Sequence, residues 1–266
     1  MLYFLKLGGS LITNKNQVHI TRMKTIHRLA AEIASARKKN PNLKLVLGHG
    51  SGSFGHVPAN KYRTRDGVNN REEWHGFTEV WQEAHSLDQI MVDVLTRHDI
   101  PVISFPPSSM IIAENKNIKI WEVSPIKKAL DADLIPLIYG DVIFDLTIGG
   151  TILSTEELFA YLAISLKPIK ILIAGIEEGV WQDYPSNRQL IPQITQKTEP
   201  GILNRLGGSN SVDVTGGMVE KVKSMLALIS LLPDLEINIF SGIIPGNVFN
   251  SLNGANLGTR IKRSLN

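Results

Sequence analysis

Short apolar runs alternate with longer amphipathic stretches along most of this chain of 266 residues. Leu2 to Leu7 reads as a buried strand. Arg22 to Lys39 places Ile26, Leu29, Ala30, Ile33 and Ala34 at helical spacing with basic residues opposite, and Pro41-Asn42 ends it. Leu43 to Leu47 is the next strand. Arg63 to Glu73 is polar and reads as a loop. A long helix is predicted from about Trp74 to His98, with Val80, Ala84, Leu87, Met91 and Leu95 on one face, and Asp99-Ile100-Pro101 breaks it. Val102 to Phe105 reads as a strand, Ser124 as the cap of a helix over Pro125 to Ala132, and Asp133 to Tyr139 as a strand. Asp145 to Thr151 has the look of a hairpin turn. Ser154 and Glu157 have the spacing of a capping box ahead of a helix over Glu156 to Leu166. Lys170 to Ala174 is a strand, Asp183 to Gln196 a loop, and Glu199 to Leu206 a helical candidate. Gly207 to Gly217 is rich in glycine and serine. Val219 to Leu231 is a helix, Glu236 to Phe240 a strand, Val248 to Leu252 a short helix, and Leu257 to Ile261 an edge strand.

Strand and helix therefore alternate nearly throughout, which predicts an α/β fold: a three-layer αβα sandwich with a mostly parallel central sheet. Glycine-rich turns follow strands at positions 8, 48, 140, 175 and 242. In open α/β sheets ligands bind outside the carboxyl ends of the strands, so these turns are expected along one edge. No linker divides the chain. A loose boundary near 165–170 is the place where an N-terminal lobe (about 1–168) would meet a C-terminal one (about 169–266).

Composition narrows the function by exclusion. There is no cysteine, so disulfides, thiol nucleophiles and cysteine metal sites are out. The net charge of +3 comes without a basic run, which points away from nucleic acid and towards small anions. The N-terminus reads as a strand and not as a signal peptide, and no apolar run approaches a membrane span, so a cytoplasmic location is expected.

The candidate chemistry sits at the glycines. Gly8-Gly9-Ser10 ends the first strand, with Lys6 inside that strand and Lys15 beyond it. Paired glycines let the backbone approach a ligand and turn N–H groups towards it. The spacing is neither a Walker A loop nor a Gly-x-Gly-x-x-Gly fingerprint. A second turn, Gly48-His49-Gly50-Ser51-Gly52-Ser53-Phe54-Gly55-His56, holds four glycines in eight positions. Lys221 falls in the first turn of its helix, against the dipole, so a local anion is expected beside it. Lysines around glycine nests suit phosphoryl transfer, which depends on positioning and on neutralising charge spread over oxygens. His56 ends the second turn, where an imidazole can donate to a phosphate oxygen; His49 reads as structural. No carboxylate stands out as a base beside the nests, and a phosphate monoester acceptor needs none, since its second pKa of about 6 leaves it dianionic. Asp213, ahead of Thr-Gly-Gly, is placed to orient a lysine or a metal-bound water. No ligand spacing for a transition metal is present, so the metal expected is Mg²⁺ arriving with a nucleotide.

Lys6-Leu-Gly-Gly-Ser10, the loop ending in His56, Asp213-x-Thr-Gly-Gly-Met218, Lys221 and Gly258-Thr259, in this order over essentially the whole chain, resemble the amino acid kinase superfamily. Within it, the segment His49 to His56 with Lys61-Tyr62 is similar to the isopentenyl phosphate kinases. The resemblance implies ATP-dependent phosphorylation of isopentenyl phosphate to isopentenyl diphosphate by a homodimer. It implies that Lys6, Gly8, Gly9 and Ser10 hold ATP phosphates, that Lys15 stabilises the transferred group, and that Ser51 and Gly52 meet both phosphates. It also implies that His56 binds the acceptor phosphate, that the Ser154-Thr155 backbone touches it, and that Gly217 and Lys221 contact ATP. The acceptor lobe would be N-terminal, the nucleotide lobe C-terminal, and the predicted helix from Trp74 to His98 would line an apolar tail pocket.

Three positions depart from the family pattern: Ala174-Gly-Ile-Glu-Glu-Gly179 where the nucleoside is met, Thr155-Glu156-Glu157 in place of Gly-Asp-Asp, and Ser51 in place of a smaller loop residue. A fosfomycin-type or other small phosphate or phosphonate kinase, and a non-catalytic nucleotide-binding member of the fold, are the alternatives.

Overall fold

Alternation along β1 (Leu2–Leu7) decides how the layers assemble. Tyr3, Leu5 and Leu7 enter one apolar core and Phe4 enters another, because successive strand side chains point to opposite faces. Lys6 shares the face of Phe4. The structure is a computed structural model and describes residues 1–14, 17, 19–198 and 217–264; Lys15 and Asp213, and the helical candidate Glu199 to Leu206, lie outside the described residues.

β1 lies between β2 (Lys44–His49) and β9 (Lys170–Gly175) and is parallel to both. Beyond β2 come β6 (Ile135–Tyr139) and β3 (Val102–Ser104); beyond β9 come β11 (Glu236–Ser241), β12 (Thr259–Ile261) and β10 (Gln193–Ile194). The pairing of β12 with β11 is antiparallel and the other pairings of this eight-stranded sheet are parallel. β12 is therefore internal and not the expected edge, since Gln193-Ile194, within a stretch that reads as loop, pairs on its outer side.

Helices cover both faces. α2 (Met23–Lys39) and α4 (Arg71–Arg97) pack Ile26, Leu29, Ile33, Leu87 and Met91 against the Leu5 face. α6 (Thr155–Leu166) and α7 (Gly217–Leu231) pack Leu158, Leu162, Leu226 and Ile229 against the Phe4 face. This is the expected αβα sandwich. No helix among the described residues is long and apolar enough to cross a membrane.

A second sheet has the order β5-β4-β7-β8: β4 (Ile111–Glu114), β5 (Asn117–Trp121), β7 (Asp141–Asp145) and β8 (Gly149–Leu153). The β7–β8 hairpin matches the turn read at Asp145 to Thr151. The β4–β5 hairpin has no strong local signal. Asp145 holds it from a distance, accepting from the Asn115 and Lys116 N–H groups at 3.1 and 2.7 Å as well as from Thr147 and Ile148.

Two local readings need correction. The glycine-rich turn after β2 is loop only to Ser51, and from Gly52 it is already α3 (Gly52–Tyr62). Ser124 does not cap α5 (Ser124–Asp131); it is the first helical residue, and Glu122 accepts its N–H at 2.7 Å.

Candidate active site

Because β1 and β2 are adjacent and parallel, their two glycine turns meet at the same sheet edge. Gly8 N–H donates to Ala174 O at 2.8 Å and Gly50 N–H to Leu7 O at 3.1 Å. The two turns touch backbone to backbone. A Cβ on Gly9 would stand 2.4 Å from Gly52 N, and one on Gly50 would stand 2.9 Å from Gly9 N. Gly52 has φ +54 and presses against Thr13, whose hydroxyl donates to Gly9 O at 2.8 Å and accepts from Ser53 N–H at 3.0 Å. Thr13 thus clamps the two nests together. A lone threonine after an apolar pair carries no sequence pattern, so this role is visible only in the fold.

Lys6 lies on the face covered by α6 and α7, and there it finds its partner: its ammonium pairs with Glu156 of α6. Lys221 of α7 approaches the other carboxylate oxygen at 3.8 Å. Burial works to raise the Glu156 carboxyl, but the Lys6 and Lys221 charges outweigh it and hold it below the ordinary glutamate range. The anion expected beside Lys221 is thus a protein carboxylate. A carboxylate does stand beside the nests, but it is tied to two lysines. Glu156 has no donor role to play as an ionised group, so it acts as a spacer that keeps two cations together without their repelling.

The capping box is present. Ser154 Oγ accepts from Glu157 N–H at 3.2 Å, and Glu157 accepts from Ser154 N–H at 2.7 Å. This aims the N-terminus of α6, and its partial positive charge, into the site. Thr155 stands where the family pattern has glycine. Its hydroxyl donates to His49 O at 2.6 Å, and its methyl fits because residue 48 is Gly, where a Cβ would approach that methyl to 2.6 Å.

These elements enclose a cavity of about 550 Å³. Lys6, Gly8, Gly9, Ser10, Ser51, Gly52, His56, Ser154, Thr155 and Lys221 all line it. Gly217 opens α7, and the next residue, Met218, reaches the wall. At one end Val80 and Ala84 from α4, Ala59 from α3 and Ile152 from β8 give apolar wall, backed by a small core of Val68, Phe77 and Val142, while Arg65, which donates to Ile152 O at 3.1 Å, also lines the cavity. At the other end stand Glu177, Trp181 and Tyr184.

The chain matches the amino acid kinase family over residues 1–231. It is 36% identical to the isopentenyl phosphate kinase of Methanocaldococcus jannaschii, over 98% of both chains. The chain belongs to the amino acid kinase family. A second relative, the isopentenyl phosphate kinase of Methanothermobacter thermautotrophicus, is 31% identical over 98% of both chains. The fold superposes on an X-ray structure of isopentenyl phosphate kinase with a TM-score of 0.83 at 28% identity, covering 98% of this chain and 100% of the other.

The segment after β9 carries the aromatic residues of the cavity. Glu177 Oε2 accepts from Trp181 Nε1 at 3.0 Å and from Asn187 Nδ2 at 3.2 Å, which fixes the indole at the cavity end. Gly258-Thr259, part of the family pattern, braces this segment from behind: Thr259 Oγ1 accepts from Val180 N–H at 2.8 Å and donates to Ile191 O at 2.6 Å. Asp141 is buried and accepts from the Ser108 and Val142 N–H groups at 3.1 and 2.8 Å. Burial pushes its carboxyl up to about 6.

Proposed function

We propose that this kinase transfers the γ-phosphoryl group of ATP to isopentenyl phosphate, giving isopentenyl diphosphate and ADP. The observation that carries the reading is the polarity of the cavity: a centre of glycine N–H groups and cations, with an apolar end at Val80, Ala84 and Ile152. A phosphate head with a short branched hydrocarbon tail suits those two parts. A small polar phosphonate would leave the apolar end unfilled, and the relatives named above act on isopentenyl phosphate by name.

The two glycine turns lie backbone to backbone in the cavity wall, and a lining of turn backbone suits a polyphosphate. The donor phosphates lie over Gly8, Gly9 and Ser10, with the base towards Trp181 and Tyr184. Lys6 and Lys221, held by Glu156, neutralise the charge that spreads over the transferred group. His56 and the N–H groups of Ser51 and Gly52 hold the acceptor phosphate in line, and the N-terminus of α6 adds partial positive charge. The acceptor is already a dianion near neutral pH, so no base is required. Lys15 is assigned by the family pattern to the transferred phosphoryl group, and Asp213, from its place ahead of Thr-Gly-Gly, to orienting a lysine or a metal-bound water. Mg²⁺ would come in with ATP and would supply positive charge to its phosphates. The N-terminal part, to about residue 168, handles the acceptor and the remainder the nucleotide. A homodimer in the cytoplasm accompanies the reading through the family likeness.

Coupled ADP release with purified protein, ATP and Mg²⁺ tests it, with isopentenyl phosphate and fosfomycin run side by side. Turnover of isopentenyl phosphate is expected. Turnover of fosfomycin alone would move the protein to a phosphonate kinase, and ATP binding without turnover of either would point to a non-catalytic role.

A further inference from the structure

Val80, Ala84 and Asp88 follow one another at four-residue spacing along α4, so one stripe of that helix carries all three. Val80 and Ala84 form the apolar wall of the cavity. Asp88 is fully buried and holds two groups from elsewhere in the fold. Ser104 Oγ donates to its Oδ2 at 2.7 Å, and His49 Nε2 stands 3.3 Å from its Oδ1.

His49 is the last residue of β2, equally buried, and stacks on Tyr139 with ring centroids 5.4 Å apart and planes 11° from parallel. Its Nδ1 is 3.3 Å from Gly50 O, and its own carbonyl accepts the Thr155 hydroxyl at 2.6 Å. His49 therefore touches three things: the helix that forms the apolar wall, the Gly50–Gly52 turn, and the first residue of α6. The last two are the backbone elements that face the acceptor phosphate. Packing alone does not call for this arrangement, since burying a polar pair costs desolvation that an apolar residue avoids.

We infer that Asp88 and His49 are positioning residues that join the tail wall to the phosphate turn. Burial of the hydrocarbon tail against Val80 and Ala84 sets α4, Asp88 and His49 carry that placement to Gly50 and Thr155, and the acceptor phosphate is oriented for attack. Binding energy from the unreactive tail is thereby used in the rate and not only in affinity. The inference rests on the acceptor reading above.

A double-mutant cycle on kcat with ATP and isopentenyl phosphate tests it, using wild type, Val80→Ala, Asp88→Asn and the double variant. The two positions are about 12 Å apart along the helix, far enough for independent effects to multiply. Asp88→Asn is expected to lower kcat about tenfold or more while the acceptor KM moves less than about threefold. Val80→Ala is expected to lower kcat in the wild-type background but to add little in the Asp88→Asn background, so the cycle departs from multiplication by at least about threefold. Effects that multiply, or an Asp88→Asn defect confined to KM, would overturn the inference. Should thermal melting show that Asp88→Asn folds poorly, Ser104→Ala takes its place in the same cycle with the same criterion. Wild-type turnover is read first: its absence would overturn the acceptor reading itself, whereas a multiplicative cycle in an active enzyme overturns only the coupling.

Discussion

The ammonium of Lys6 and the carboxylate of Glu156 pair at the floor of the cavity, and Lys221 closes on the other carboxylate oxygen at 3.8 Å. One anion therefore holds two cations together in the cavity wall.

Glu156→Gln keeps the shape and removes the charge. We expect kcat to fall about 10- to 100-fold, measured by steady-state ADP release, and a change under about twofold would contradict the role. The carboxyl is held below its ordinary value, so the stability it contributes is present above pH 4.5 and lost as pH falls through the lower folded value. The melting-temperature gap between wild type and Glu156→Gln should shrink accordingly below pH 4.5.

This pair also shows what the sequence could reveal. Lys6 in an apolar strand announces a buried partner, and period two puts it on the Phe4 face. Which acidic residue answers depends on how α6 docks, a long-range fact that no local pattern carries. The capping box at Ser154 and Glu157 was legible because both halves lie within one turn of helix. The central sheet was legible because parallel strands buried on both faces read as apolar runs. The β4–β5 hairpin was not, since Asp145 supports it from thirty residues away. The internal position of β12 is not legible in sequence because its outer neighbour is two residues long.

Asp141 gives a second pH signature of opposite sign. Burial raises its carboxyl from 3.8 to about 6, a shift on the order of 3 kcal/mol. The folded state holds the proton more tightly, so this group's contribution to stability declines as pH rises through that window. The melting temperature of wild type relative to Asp141→Asn should rise as pH is lowered from about 7 to about 4. A constant gap across that range would contradict the burial of an ionisable carboxyl.

Gly9→Ala would place a Cβ 2.4 Å from Gly52 N, against the backbone of the Gly50–Gly52 turn. The two nests must then separate. We expect kcat/KM to fall about 100-fold or more. Activity within a few-fold of wild type would show that the nests need not touch.

Trp181 is fixed by Glu177 at the end of the cavity away from Val80. Trp181→Ala should raise the ATP KM about tenfold, the scale of one lost base stack, and leave the KM for isopentenyl phosphate unchanged. A rise in the acceptor KM instead would reverse the assignment of the two ends.

The central claim is that a phosphate monoester with a hydrocarbon tail accepts the phosphoryl group at His56. Phosphorus NMR of ATP, Mg²⁺ and isopentenyl phosphate, with wild type and with His56→Ala, tests it most directly. The account predicts that wild type converts the monoester signal into the paired signals of a diphosphate as ADP appears, and that the variant does so at least about 100-fold more slowly. An unchanged monoester signal with wild type, or equal conversion by the variant, would contradict it.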